Sequence, residues 1–172
     1  MTVTVIGVDP GGRYAGIVVR RGSDTLVDRT VLDRRHDRNS DLGLDDVLAW
    51  ARFVAVTVDD LRVAHGALWV AAEGVKAPSP HVRRRDGNAL TNVAGILDTA
   101  VVLGALGLAF VDLIVVDPGG NGALPDYAYP EAIRSGTRGL GGPPVHARAA
   151  WDVAGAAIWR HRTSTASREG RS

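Results

Sequence analysis

Three carboxylates stand where chemistry is conceivable, because each closes or interrupts an apolar stretch. Asp9 ends the run Val3 to Val8 and is followed at once by Pro10, Gly11 and Gly12, which leave little bulk beside it. Glu73 ends the run Ala67 to Ala72 (ALWVAA) and is followed by Gly74. Asp152 sits among Ala149, Ala150, Val153, Ala154, Ala156 and Ala157, a setting in which a lone charge needs a partner. If the strands ending in Asp9 and Glu73 lie parallel and adjacent, both acids emerge at one sheet edge, the edge where open α/β sheets bind ligands. Neighbouring carboxylates repel and raise each other's pKa unless a cation sits between them. Oxygen donors without any Cys and with few His favour Mg²⁺ or Mn²⁺. Each acid also has a plain structural reading. Asp9-Pro10-Gly11-Gly12 is good turn chemistry in its own right. Glu73 is an acid at a strand end, and Asp152 is spaced to pair with Arg148 at i,i+4. A third strand-end acid, Asp117, opens a second Asp-Pro-Gly-Gly and reads as a turn or substrate loop.

The elements that must position these residues follow from periodicity. Val3 to Val8, Tyr14 to Arg20 and Thr25 to Leu32 read as strands joined by short turns, an antiparallel meander. Asp33 to Gly43 is polar and suits an exposed loop. From Leu44, apolar residues at three-and-four spacing (Val47, Leu48, Ala51, Val54, Val58, Leu61) predict a helix to about Gly66. Ala67 to Ala72 reads as a strand buried on both faces. Val75 to Asn88 reads as a loop, and Ala89 to about Ala105 as a helix apolar nearly all round, suited to burial by the sheet and a partner subunit. Leu113 to Val116 is a fifth strand. Pro118 to Pro144 is an irregular Gly/Pro-rich excursion, and Ala147 to Arg160 a last helix. A helical crossover into the fourth strand demands parallel pairing. The expected fold class is therefore α/β: a five-stranded mixed sheet, three strands antiparallel and two parallel, flanked by helices.

The totals bound the class. One domain is expected over residues 1–162, with a disordered basic tail at 163–172. Composition, 45% hydrophobic and 23% charged, is that of a soluble globular protein. The absence of Cys excludes disulfides and thiolate-held zinc. No basic segment precedes the first apolar run, and the greasiest region, Val93 to Val116, is broken by Asp98, Gly104, Gly107 and Asp112. No membrane association is expected, and the default compartment is the cytoplasm.

With these pieces in place, the chain resembles a known family. VIGVDPGGRYAGIVV resembles the opening of RuvC-type Holliday junction resolvases, AAEGV their fourth-strand segment, and HARAAWDVAGAAI their C-terminal helix. VVDPGGNG followed by YPEAI is most similar to the RuvC-like branch of phages. The resemblance implies an RNase H-like fold and a Mg²⁺-dependent endonuclease acting on four-way or other branched DNA, with Mn²⁺ as a substitute. It implies Asp9, Glu73 and Asp152 as ligands of two metal ions, and a homodimer cutting symmetric strands. Recombination or packaging partners are left unidentified. The chain departs from the family at Ala149, where a second acid or a His is usual; His146 is the nearest replacement and joins the catalytic candidates. The family's junction-probing aromatic falls near Lys76.

Of the 20 basic residues, 19 are Arg, and their placement is uneven. Arg83, Arg84 and Arg85 are adjacent and close to Glu73. From Arg134 onward seven Arg face two acids, while the first helix is acidic. This asymmetry suits a one-faced nucleic-acid binder despite a net charge of only +1. The DNA-contact candidates are Arg13, Lys76, Arg83, Arg84, Arg85 and Arg148. Three alternatives stay open at the level of residues: a non-catalytic module binding structured DNA, a YqgF-like nuclease acting on RNA or other branched substrates, and an actin-like ATPase domain, whose usual duplication is missing here.

Overall fold

The computed structural model describes residues 2–34, 44–75 and 93–169. The strands are β1 (Thr4–Pro10), β2 (Tyr14–Arg21), β3 (Thr25–Asp33), β4 (Trp69–Glu73) and β5 (Ile114–Val116). The helices are α1 (Leu44–His65), α2 (Val93–Ala109) and α3 (Pro144–Glu169), with two short 3₁₀ turns at Asp126–Ala128 and Glu131–Ile133. The sheet order is β3-β2-β1-β4-β5. β1 to β3 pair antiparallel, while β1–β4 and β4–β5 pair parallel. The expected five-stranded mixed sheet is thus the observed one.

Strand alternation sends residues to two different layers. Ile6, Val8, Ile17, Val19, Val70 and Ala72 pack with Val54, Val58, Val102 and Leu106 of α1 and α2. Val5 and Ala71 pack with Val153, Ala154 and Ala157 of α3 on the other face. Val18 and Val31 meet Ala147, Ala150 and Trp151 of α3 on that same face. The α3 layer sits very close to the sheet. A Cβ at Gly7 would lie 2.0 Å from the Ala150 carbonyl oxygen, and one at Gly16 would lie 2.1 Å from that of His146. Only glycine leaves room there for the helix backbone.

Three expectations change. β4 starts at Trp69, and Leu68 is exposed, so burial on both faces holds only for Val70 to Ala72. Arg34 lies in the stretch read as an exposed loop yet is buried, because two carboxylates and a carbonyl converge on its guanidinium. On α2, Leu97 and Leu108 are exposed within the single chain. α3 begins at Pro144 and runs to Glu169, past the Arg160 boundary and through most of the expected tail. Proline is favoured at a first helical position. Neither Gly nor Pro interrupts the chain between Arg160 and Gly170. The expected start of the second helix at Ala89 lies outside the described residues. Among the described residues, no helix is long and apolar enough to cross a membrane.

Candidate active site

Alternation also decides where the acids point. Asp9 shares its strand face with Val5 and Gly7, and Glu73 shares its face with Ala71, so both belong to the α3 side. Val8 pairs with Ala72 in the parallel β1–β4 ladder, which brings the next residues, Asp9 and Glu73, to the same carboxyl edge. The convergence expected of these two strand ends is realised.

Asp9 meets α3 first. His146, in the first turn of α3, places Nδ1 at 2.8 Å from Asp9 Oδ2. The imidazole stacks on Tyr14 with ring centroids 5.3 Å apart, and the guanidinium of exposed Arg13 lies 4.9 Å from the Tyr14 centroid. A continuous row thus runs from Arg13 at the surface through Tyr14 and His146 to Asp9.

The Pro10–Arg13 turn is held from behind. Trp50 donates Nε1–H to the Gly11 carbonyl at 3.2 Å, and Arg34 donates to the Gly12 carbonyl at 3.2 Å. Arg34 also pairs with Asp46 of α1 at 2.6 Å and Asp98 of α2 at 3.2 Å, tying this turn to both helices.

Glu73 accepts a hydrogen bond on Oε1 from Asn121 Nδ2 at 2.9 Å. Its pKa is raised, chiefly by burial, with the fields of Asp9 and Asp152 adding to the rise; bonds from Asn121 and the Gly119 backbone oppose it. Glu73 therefore lies within reach of the fields of both Asp9 and Asp152.

Asp152 stands apart from the other two in its partners. Its Oδ2 accepts from the Gly122 backbone N–H at 2.8 Å and from the Tyr129 hydroxyl at 2.9 Å. Tyr129 is buried, and its pKa is pushed up to about 12, first by burial and then by this bond. The i,i+4 pairing of Asp152 with Arg148 is not made. Arg148 instead bonds Asp126, and Ser135 Oγ at 3.0 Å, which turns this DNA-contact candidate into a clamp on the 3₁₀ excursion. Arg134 and Arg160 likewise donate to backbone carbonyls within the fold. Ala149 is buried, with the loop at Gly122 lying against its backbone. Lys76, Arg83, Arg84 and Arg85 lie outside the described residues.

Among the described residues, no group of three or more His, Asp or Glu side chains is placed to hold a metal ion together. The donor set nevertheless suits a hard divalent cation. Side-chain and backbone groups within the fold reach Asp9 Oδ2, Glu73 Oε1 and Asp152 Oδ2. A carboxylate offers about four lone-pair sites, so capacity for a cation remains at each. Ligands oriented by a neighbouring hydrogen bond are the usual arrangement around bound metals.

Tyr14, Arg34, Asn121 and Tyr129 were not found by sequence reasoning. No spacing rule links Asn121 to Glu73 or Tyr129 to Asp152, since the contacts cross 48 and 23 residues. The apolar pattern marks Tyr14 only as the start of a strand.

A mixed β3-β2-β1-β4-β5 sheet flanked by helices is an RNase H-like architecture. Solved structures bear this out. The chain superposes on T. thermophilus RuvC in complex with Holliday junction substrate with a TM-score of 0.56 and 14% identity, covering 93% of this chain and 96% of that one. It superposes on a second Thermus thermophilus RuvC structure with a TM-score of 0.56 and 15% identity, covering 94% and 97%. At such identities the likeness establishes the fold. No protein-family model and no curated protein sequence matches the chain.

Proposed function

We propose that this chain is a Mg²⁺-dependent, structure-selective endonuclease that cuts four-way or other branched DNA as a homodimer. The observation that carries the reading is the placement of Asp9 and Glu73 at one carboxyl edge, on the α3 face of a RuvC-type fold, with their charges interacting. The solved neighbour bound to a Holliday junction substrate supports branched DNA as the partner. Asp9 and Glu73, with Asp152 behind them, would hold the cation. When bound, Mg²⁺ supplies an activated water and neutralises charge on the scissile phosphate and the leaving oxygen.

The protein's own residues do the rest. His146 fixes the Asp9 carboxylate from one side, and Tyr14 fixes the imidazole by stacking. Arg34 and Trp50 hold the turn after Asp9 in one conformation. Exposed Arg13 at that rim is placed to donate to a phosphate beside the site. Arg83, Arg84 and Arg85 extend that contact in this reading. The exposed apolar residues of α2, Leu97 and Leu108, are the proposed seat of the second copy.

The deciding experiment is cleavage of a synthetic four-way junction by Asp9→Asn, with junction binding measured alongside. Cleavage is expected to vanish while binding stays within a few-fold of the parent; undiminished cleavage sinks the site. A second reading, a non-catalytic module for structured DNA, draws on the engaged state of Asp152 and the closed-off position at Ala149. A protein that binds junctions but never cuts them with Mg²⁺ or Mn²⁺ establishes that reading. Flap DNA and structured RNA run in parallel separate a YqgF-like activity.

A further inference from the structure

The segment between β5 and α3 reaches both Glu73 and Asp152, through the adjacent residues Asn121 and Gly122. Asn121 gives Nδ2 to Glu73 Oε1 at 2.9 Å and also reaches the Asp117 carbonyl at 3.4 Å. Its neighbour Gly122 gives its backbone N–H to Asp152 Oδ2 at 2.8 Å. The Gly122 backbone lies flat on α3. A Cβ there would stand 3.0 Å from the Val145 carbonyl oxygen and 3.1 Å from the Ala149 nitrogen, and φ is +76°. Both facts demand glycine. Tyr129 completes the anchorage by donating to the same Asp152 oxygen while accepting from the Leu124 N–H at 3.1 Å.

From this geometry we infer that Asn121 is the positioning residue for Glu73, delivered to it by a loop that Asp152 and Tyr129 pin to α3. The inference rests on the metal-site reading proposed above and deepens it. Two adjacent donors of one loop reach two acids that come from different elements, β4 and α3. The loop therefore sets the separation and orientation of those acids. The same loop backbone lies against α3 at Ala149. Asn suits the task because its amide donates to a carboxylate without adding charge to an already acidic cluster.

Groups that orient a metal-bound carboxylate typically change metal affinity by roughly 10–100-fold when removed. The test is calorimetric titration of the intact protein with MnCl₂ for the parent, Asn121→Ala, Glu73→Gln and the double variant. Thermal unfolding of each is recorded alongside. Asn121→Leu, close in size and without a donor, serves as a second probe should Asn121→Ala fail to fold. Asn121→Ala is expected to weaken Mn²⁺ binding within that range, and to have no further effect once Glu73 is Gln, because its action runs through that carboxylate. Affinity within twofold of the parent overturns the inference. So does a loss of the same size in the Glu73→Gln background, which marks a general structural effect. If the parent binds no Mn²⁺, the inference and the metal-site reading fail together. If the parent shows the Asn121 dependence but cuts no branched DNA, the nuclease reading fails and the positioning role stands.

Discussion

Arg34→Ala tests how the turn after Asp9 is held. The guanidinium is buried at the end of β3. It donates to Asp46 Oδ2 through Nη2 at 2.6 Å, to Asp98 Oδ2 at 3.2 Å and to the Gly12 carbonyl at 3.2 Å, while its own backbone N–H donates to the Arg13 carbonyl at 2.8 Å. The side-chain bonds are not equal. The Asp46 side chain is 52% exposed, so after screening that pair contributes no more than about 1 kcal/mol. The Asp98 side chain is 23% exposed, and loss of its charged hydrogen bond costs about 1.5 kcal/mol. The Gly12 carbonyl loses a donor in a half-buried place, which costs about 1 kcal/mol more. Together the loss is about 3 kcal/mol, and at this chain length it lowers the thermal midpoint by about 6–12 °C. Thermal unfolding followed by far-ultraviolet circular dichroism reads it directly. Arg34→Lys keeps the charge but not the planar fork, and should recover less than half of the loss. A midpoint for Arg34→Ala within about 2 °C of the parent would refute the argument that this network holds the turn.

Other outcomes follow from the same geometry. Glu73 has a folded pKa above its ordinary value, so its contribution to stability is fully present below the unfolded pKa and is lost as pH rises through the folded one. Glu73→Gln should therefore raise the thermal midpoint at neutral pH in metal-free buffer, with the gain fading as pH falls through the carboxyl range; a pH-independent gain contradicts it. Gly16→Ala drives a methyl group into the His146 carbonyl, at a cost of about 2 kcal/mol and a fall of roughly 4–8 °C in midpoint. The same variant should shift the His146 imidazole resonances, and unchanged resonances would mean that the helix does not ride on Gly16. Leu97→Glu with Leu108→Glu should convert a dimer to a monomer in sedimentation measurements without unfolding it. A dimer that survives both changes seats its partner elsewhere.

The sequence by itself determined the sheet. Three short-turned apolar strands, a crossover helix and two further strands admit few arrangements, because handedness and parallel pairing follow from the connections. It also determined that Asp9 and Glu73 share an edge, since both close apolar strands that the crossover makes parallel. What the tertiary structure decided are the contacts that cross between layers. His146 reaches Asp9 across 137 residues because the helix starts at Pro144, ahead of the Ala-rich pattern, and its first turn lies against Gly16 of the sheet. Arg34 is buried because α1 and α2 each deliver a carboxylate to it, which a polar loop composition cannot announce. Asp152 points to Tyr129 and Gly122 instead of Arg148, because the β5–α3 segment folds back over α3 and supplies closer donors. Local spacing carries information about elements and the faces they bury. Which polar groups meet across those faces depends on rotation and approach of whole elements, and these are set by close packing at residues such as Gly7, Gly16 and Gly122.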